Sequence, residues 1–273
     1  MPLYEDQLKR SVEISIFPKR IISVVPSQTE LLYDLGLDYE VIGITKFCVH
    51  PEIWFKNKTR VGGTKQLNLD KIRSLQPDLI IANREENVQE QINELANDFP
   101  VWISDINDLN DALSMITSIG TITGKEEKAK VIHNQIEEKF GILKAAIQEK
   151  NQAVYLIWKD PFMTAGGDTF INEMMEHARF SNLFKNQRRY PVITPDDILF
   201  GNGENNKANG LVILSSEPYP FGTKHIHELQ QQMPGYRFLL VDGEMFSWYG
   251  SRLEKAPAYF LELQKQIQAL YLF

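Results

Sequence analysis

Residues 20–36 read RIISVVPSQTELLYDLG. The apolar run Ile21–Val25 has no polar alternation, stops at Pro26, and gives way to Thr29–Leu35, where apolar residues fall at helical spacing. A short unbroken apolar run is the pattern of a strand covered on both faces, as in parallel sheets flanked by helices. Working outward, similar runs occur at Val41–Thr45, Leu79–Ala82 and Val101–Ser104, and again at Val154–Trp158, Leu211–Ser215 and Phe238–Val241. Helical patterns separate them at Leu69–Leu75, Val88–Ala96, Leu109–Thr123, Phe170–His177 and Ala256–Leu270.

Between the two sets lies Lys125–Lys150. Ile132, Ile136, Phe140, Leu143 and Ile147 give this segment one apolar face, which predicts a long amphipathic helix. Gly124 is expected to open it, and Gly141 is its one helix-weakening residue. The two sides repeat one organisation. RIISVVPSQTELLYDLG corresponds to AVYLIWKDPFMTAGGDTFINEMM (153–175), LNLDKIRSLQPDLIIAN (67–83) to ITPDDILFGNGENNKANGLVILSS (193–216), and PVWISDINDLNDAL (100–113) to RFLLVDGEMFSWYG (237–250). The expected fold is α/β: two similar lobes with mainly parallel sheets, residues 1–123 and 151–273, joined by a spine helix over 124–150. Ligand loops are expected at the carboxyl ends of the strands.

Composition bounds the function. The chain has 273 residues, 43% of them apolar, and a net charge of −7 with no basic run. This suits two cores and not a nucleic-acid partner. Cys48 is the single cysteine. Met1–Arg20 is interrupted by Glu5, Asp6, Lys9, Arg10 and Glu13 and does not read as an export signal. No G-x-S-x-G elbow, P-loop or G-x-G-x-x-G follows a strand, so catalysis is not expected. Gly62-Gly63, Gly166-Gly167 and Gly201-Asn202-Gly203 read as turns.

RIISVVPSQTELLYDLG and VGGTKQLNLDKIRSLQPDLIIAN (61–83) resemble the helical-backbone substrate-binding proteins of ABC importers for iron-siderophores, heme and vitamin B12. The resemblance runs from about Arg20 to the C-terminus. DPFMTAGGDTFINEMM (160–175) and VDGEMFSWYGSR (241–252) are more similar to the corrinoid branch than to the siderophore branch. The resemblance implies a monomer that holds a metal chelate in a cleft between the lobes, a cobalamin-like corrinoid first, with heme or an iron-siderophore as alternatives. It implies a membrane permease as partner, a periplasmic or cell-envelope location and no catalytic cofactor. The family's permease-docking acids fall on Asp70 and Asp196, where glutamate is usual. Phe47, Phe162 and Tyr190 match aromatic ligand contacts of the corrinoid branch and Glu244 an acidic one, whereas Thr64 and Asn83 stand where that branch has tryptophans. A cytosolic corrinoid-handling protein, a sensor or an enzyme on the same fold stays open as the alternative, and with it a cytoplasmic location.

Several residues carry a second reading. Asp70 and Asp196 also suit helix starts, capped by Asn68 and Thr194, with Pro195 at the first helical position. Ser27 and Glu30 have capping-box spacing, and Pro26 and Ser27 are expected to edge the ligand site. Phe246, Trp248 and Tyr249 stand in a short polar segment in which three large rings are not expected to face one core, so they are assigned to the ligand. His50 is a further candidate contact. Cys48 with His50, and His225 with His227 and Glu228, are too few for a metal site. Arg188 and Arg189 read as a solvated turn or as anion contacts.

Overall fold

Ile21–Ser23 is a strand whose three residues are all buried, and Leu79–Asn83 and then Val101–Ser104, successive strands on one side of it in the same sheet, are buried throughout. The computed structural model describes residues 1–147, 151–200 and 210–271. It divides into two units: Met1–Glu137 with Trp248–Glu254, and Glu138–Ser247 with Lys255–Phe273.

In the first unit five parallel strands run in the order Thr59–Arg60, Val41–Ile44, Ile21–Ser23, Leu79–Asn83, Val101–Ser104. Strand order reverses at Ile21–Ser23. Its two neighbours follow it in sequence on opposite sides, which leaves a crevice beyond its carboxyl end. Ile22, Val24, Val61, Ile72, Ile80, Ala82, Ile92 and Leu95 fill the core beside this sheet. The first helix is Pro26–Asp34, one turn earlier than the periodicity predicts.

An N-terminal hairpin, Leu3–Glu5 with Ser11–Glu13, lies beyond what the sequence reading anticipates. Its turn is built around Asp6, 2% exposed, which accepts hydrogen bonds from the amides of Leu8, Arg10 and Ile103 and pairs with Arg10 at 2.7 Å. Gln7 N donates to Ile103 O, so the turn covers the open edge of Val101–Ser104. Covered edges do not template further strand pairing.

The expected spine is a helix at Glu126–Ala146, about 31 Å long at 1.5 Å per residue. Ile132, Ile136, Phe140 and Leu143 on it are buried, and so is Ile147 just beyond. Residues 148–150, its expected end, lie outside the described residues. Gly124 does not open this helix. It closes the preceding one, Leu109–Thr123, in the left-handed conformation at φ 67°, and its amide donates to Thr121 O. Glycine takes that conformation without Cβ strain. The unit boundary falls within the helix, between Glu137 and Glu138.

The second unit's sheet is mixed. Asn151–Trp158 pairs in parallel with Leu211–Ser215 and, at its start, with Phe180–Asn182. Arg237–Val241 continues in parallel beyond Leu211–Ser215. On the other side Phe162–Thr164 and Val192–Ile193 add antiparallel strands. DPFMTAGG therefore contains a strand, Phe162–Thr164, where a loop is expected, and the two units repeat less closely than their strings suggest. Gly166 and Gly167 are close-approach residues: their amides donate to Arg189 O and Gln187 O, and a Cβ on Gly167 would lie 1.9 Å from Lys185 O. No helix among the described residues is long and apolar enough to cross a membrane.

Candidate ligand site

The first unit's crevice is framed by buried polar groups. Thr29 Oγ1, in the first turn of Pro26–Asp34, lies 2.8 Å from Ser23 Oγ and 3.1 Å from Cys48 Sγ, and Thr45 Oγ1 lies 3.2 Å from the same sulfur. Burial raises the Cys48 thiol pKa against the opposing hydrogen bonds from Thr29 and Thr45, which is the state of a structural cysteine. Asn83 closes Leu79–Asn83. Its Nδ2 donates to Ser104 O and Oγ, and its Oδ1 accepts from the amides of Glu85 and Glu86. Asn87 Oδ1 accepts from Asn83 N, while its Nδ2 donates to Val24 O and Thr64 O. Unpaired groups at this depth cost roughly 1–3 kcal/mol each, so the network fixes the loop backbones.

Pro26 and Ser27 do not serve as a cap. The N-cap position is Val25, without a side-chain bond, Pro26 is the first helical residue, and Ser27 is buried within the turn. The capping-box reading of Ser27 and Glu30 therefore fails. Glu30 accepts instead from Arg252, 222 residues away: Nε at 2.7 Å and Nη2 at 2.9 Å, with both residues buried. Arg252 lies 4.7 Å from the Trp248 ring, which meets the His50 ring edge-on at 5.5 Å. Phe47, three residues past Val41–Ile44, is 51% exposed with Lys46 over its ring. Thr64 is buried.

In the second unit Phe162 is half-buried, packed against the core of that unit, and Trp158, whose strand partner is Met163, stands at the carboxyl end of its strand, 40% exposed and 5.7 Å from Tyr219. Sequence reasoning did not single out Trp158, although a large ring ending a parallel strand was the available signal. Tyr190 is half-buried under Arg189 (5.6 Å), whose guanidinium Nη1 donates to Asp168 O at 3.3 Å and whose amide donates to Asp168 Oδ1 at 2.6 Å, so Arg189 is not a free turn cation. Glu244 is half-buried and opens the short helix Glu244–Ser247. Phe246 is fully buried against Tyr155, Tyr259 and Phe260. The expectation that Phe246, Trp248 and Tyr249 could not all be buried does not hold. The chain changes unit after Ser247, so the rings enter separate environments, and all three are 7% exposed or less.

His225 Nδ1 accepts from Gly222 N, and its Nε2 lies 3.3 Å from Tyr219 Oη. Burial first, then Lys224 and Lys159, lower its pKa. Glu228 pairs with Lys159. The described residues contain no group of three metal-ligating side chains. Gly201-Asn202-Gly203 lies outside the described residues.

Both candidate docking acids are exposed. Asp70 stands in the first turn of Leu69–Ser74, which Asn68 caps by accepting from Lys71 N, and lies 3.6 Å from Arg73. A recess of about 570 Å³ lined by Asn68, Asp70, Arg73 and Glu94 opens there. Asp196 follows Pro195 in Pro195–Phe200, where Thr194 and Asp197 exchange capping hydrogen bonds.

This arrangement, polar loops at a switch point in an α/β sheet, coincides with a family match over residues 21–218 to the periplasmic binding proteins. The chain belongs to the periplasmic binding protein family. It is 28% identical over 205 residues to the uncharacterized ABC transporter substrate-binding lipoprotein YvrC of Bacillus subtilis, covering 71% of this chain and 65% of that protein. It is 25% identical over 242 residues to the vitamin B12-binding protein of Pectobacterium carotovorum, covering 86% and 84%. The molybdate periplasmic binding protein MolA of Haemophilus influenzae superposes with a TM-score of 0.79 at 15% identity, over 99% of this chain and 92% of MolA, a likeness of fold.

Proposed function

We propose that this chain is the substrate-binding component of an ABC-type importer for a metal chelate, cobalamin or another corrinoid first, and that it carries the chelate without acting on it chemically. The reading is carried by partly exposed rings at strand ends: Phe47 in the first unit, Trp158 with Phe162 in the second. A flat macrocycle is held well by rings that bury large area at low entropy cost. Identity to a vitamin B12-binding protein over 86% of the chain supports it. Tyr190, Glu244, His50, Thr64, Asn83, Pro26 and Ser27 complete the proposed ligand set, the last four through the framework they build. Phe246, Trp248 and Tyr249 stay in the set as buried supports. Asp70 and Asp196 are the proposed permease contacts, the protein acts as a monomer, and the role places it in the cell envelope.

The test is titration calorimetry and absorption spectroscopy of the purified protein with cyanocobalamin, hemin, a ferric hydroxamate and molybdate in turn. One-to-one binding of cyanocobalamin with a changed corrin spectrum is expected. Binding of hemin, the hydroxamate or molybdate alone would reassign the ligand, and binding of none would remove the importer reading.

A further inference from the structure

Glu85 and Glu86 follow directly on Leu79–Asn83, the strand beside the switch point. The loop that carries them is fixed: Asn83 Oδ1 holds both amides at 2.8 and 2.9 Å, and Asn87 ties the far end to Val24 O and Thr64 O. Glu86 is half-buried, and among the described residues its carboxyl has no hydrogen-bond partner. The charged groups that act on it are Glu85 and Lys65, and Lys65 Nζ donates to Glu85 O and not to Glu86. Glu86 follows the carboxyl end of a strand that pairs directly with Ile21–Ser23, the strand at which the order reverses. A half-buried carboxyl on a rigid loop with its lone pairs unused is costly unless something fills them.

We propose that Glu86 is a specificity residue of the ligand site: its carboxylate accepts a hydrogen bond from a neutral N–H donor, so the site favours a chelate fringed with amides over one fringed with carboxylates. This rests on the chelate-binding reading above. Burial, then Glu85, raise the Glu86 pKa against the lowering by Lys65. The sign follows. The acceptor is charged above the raised value and neutral below it, so affinity for an amide-bearing chelate falls as pH drops through that value. Without ligand, a raised carboxyl costs stability above its pKa, so removing the charge should not weaken the fold.

Wild type, Glu86→Gln and Glu86→Ala are titrated with cyanocobalamin, which carries peripheral amides, and with hemin, which carries propionates, from neutral pH down into the ordinary carboxylate range. Thermal melts of each are run alongside. A charge-assisted hydrogen bond is about twice as strong as a neutral one, so Glu86→Gln is expected to weaken cyanocobalamin binding about five- to tenfold at pH above the raised Glu86 value. It should also remove the loss seen in wild type on acidification, bring hemin closer to cyanocobalamin in affinity, and melt no lower than wild type. An unchanged affinity and pH profile in Glu86→Gln and Glu86→Ala, with wild type binding cyanocobalamin, overturns the role of Glu86 alone. Failure of wild type to bind any macrocycle overturns the chelate reading and this inference with it.

Discussion

Replacing Glu30 with alanine should destabilise the first unit strongly. The Arg252 guanidinium side chain is 8% exposed and that of Glu30 9%, and two charge-assisted bonds of 2.7 and 2.9 Å join them. Glu30→Ala leaves a buried guanidinium without its bidentate carboxylate, a change that costs about 3–5 kcal/mol. The first unit has about 140 residues, and at about 4 °C per kcal/mol its transition should fall by about 12–20 °C. Arg252→Met should cost a similar amount, since it strands the carboxylate and removes the cation from the Trp248 ring, worth about 0.5–2 kcal/mol. The double variant Glu30→Leu with Arg252→Met replaces both charges with apolar groups and should recover most of the loss, because a buried pair gains little over a hydrophobic pair of similar volume. The assay is urea unfolding followed by tryptophan fluorescence, with Glu30→Leu added so that wild type, Glu30→Leu, Arg252→Met and the double variant close a double-mutant cycle. A loss below about 1 kcal/mol for Glu30→Ala, with coupling near zero, would mean that water screens the pair and that it does not fasten Trp248–Glu254 to the first unit.

Cys48 should resist a thiol reagent at pH 8 for hours in the native protein and react within minutes in denaturant, because burial holds its thiol protonated and out of reach; rapid labelling of the native protein would refute the packing described around Thr29 and Thr45. Asp70→Ala combined with Asp196→Ala should change stability by no more than about 0.5 kcal/mol and leave ligand affinity unchanged, since both acids are exposed at helix starts. The same pair should weaken permease binding by about 2–5 kcal/mol if each carboxylate is desolvated in a basic pocket; uptake at the wild-type rate would reduce both acids to helix-start residues.

The sheet was legible because its strands are covered on both faces. Ile21–Val25, Leu79–Ala82 and Leu211–Ser215 show as unbroken apolar runs for that reason. The spine helix was legible from one apolar stripe. What escaped was built from polar or very short segments. The hairpin Leu3–Glu5/Ser11–Glu13 alternates exposed residues around a buried Asp6, and no periodicity betrays an aspartate whose partners are backbone amides. Phe162–Thr164 is an edge-side strand of three residues between Pro161 and Gly166, which read as turn punctuation. Glu30 illustrates the limit of local spacing. S-x-x-E fits a capping box, yet the helix starts at Pro26 and the glutamate's partner lies 222 residues along the chain. Glu86, in the string REEN, has the composition of a solvated turn, and only the fold shows that it is half-buried on a loop whose amides Asn83 holds.

The polar framework also bears on how the ligand would be held. Asn83 and Thr64 stand where the corrinoid branch has tryptophans. Asn83 spends its side chain on Ser104 and on the amides of its own loop, and Thr64 spends its carbonyl on Asn87. Neither can replace the stacking area of an indole. On the proposed reading the first unit therefore offers the exposed ring of Phe47 past Val41–Ile44 and the half-buried carboxyl of Glu86 past Leu79–Asn83. A first unit so built would recognise a macrocycle less by its flat face and more by the hydrogen-bonding groups on its rim. Losing Phe47 should then cost a few-fold in affinity for any flat chelate, about 0.5–1.5 kcal/mol for one aromatic contact, whereas losing the Glu86 charge should change which chelate is preferred. Equal losses for cyanocobalamin and hemin in Phe47→Ala, set beside unequal losses in Glu86→Gln, would separate stacking from rim recognition. The same ranking of the two chelates in both variants would show that the rim is not read.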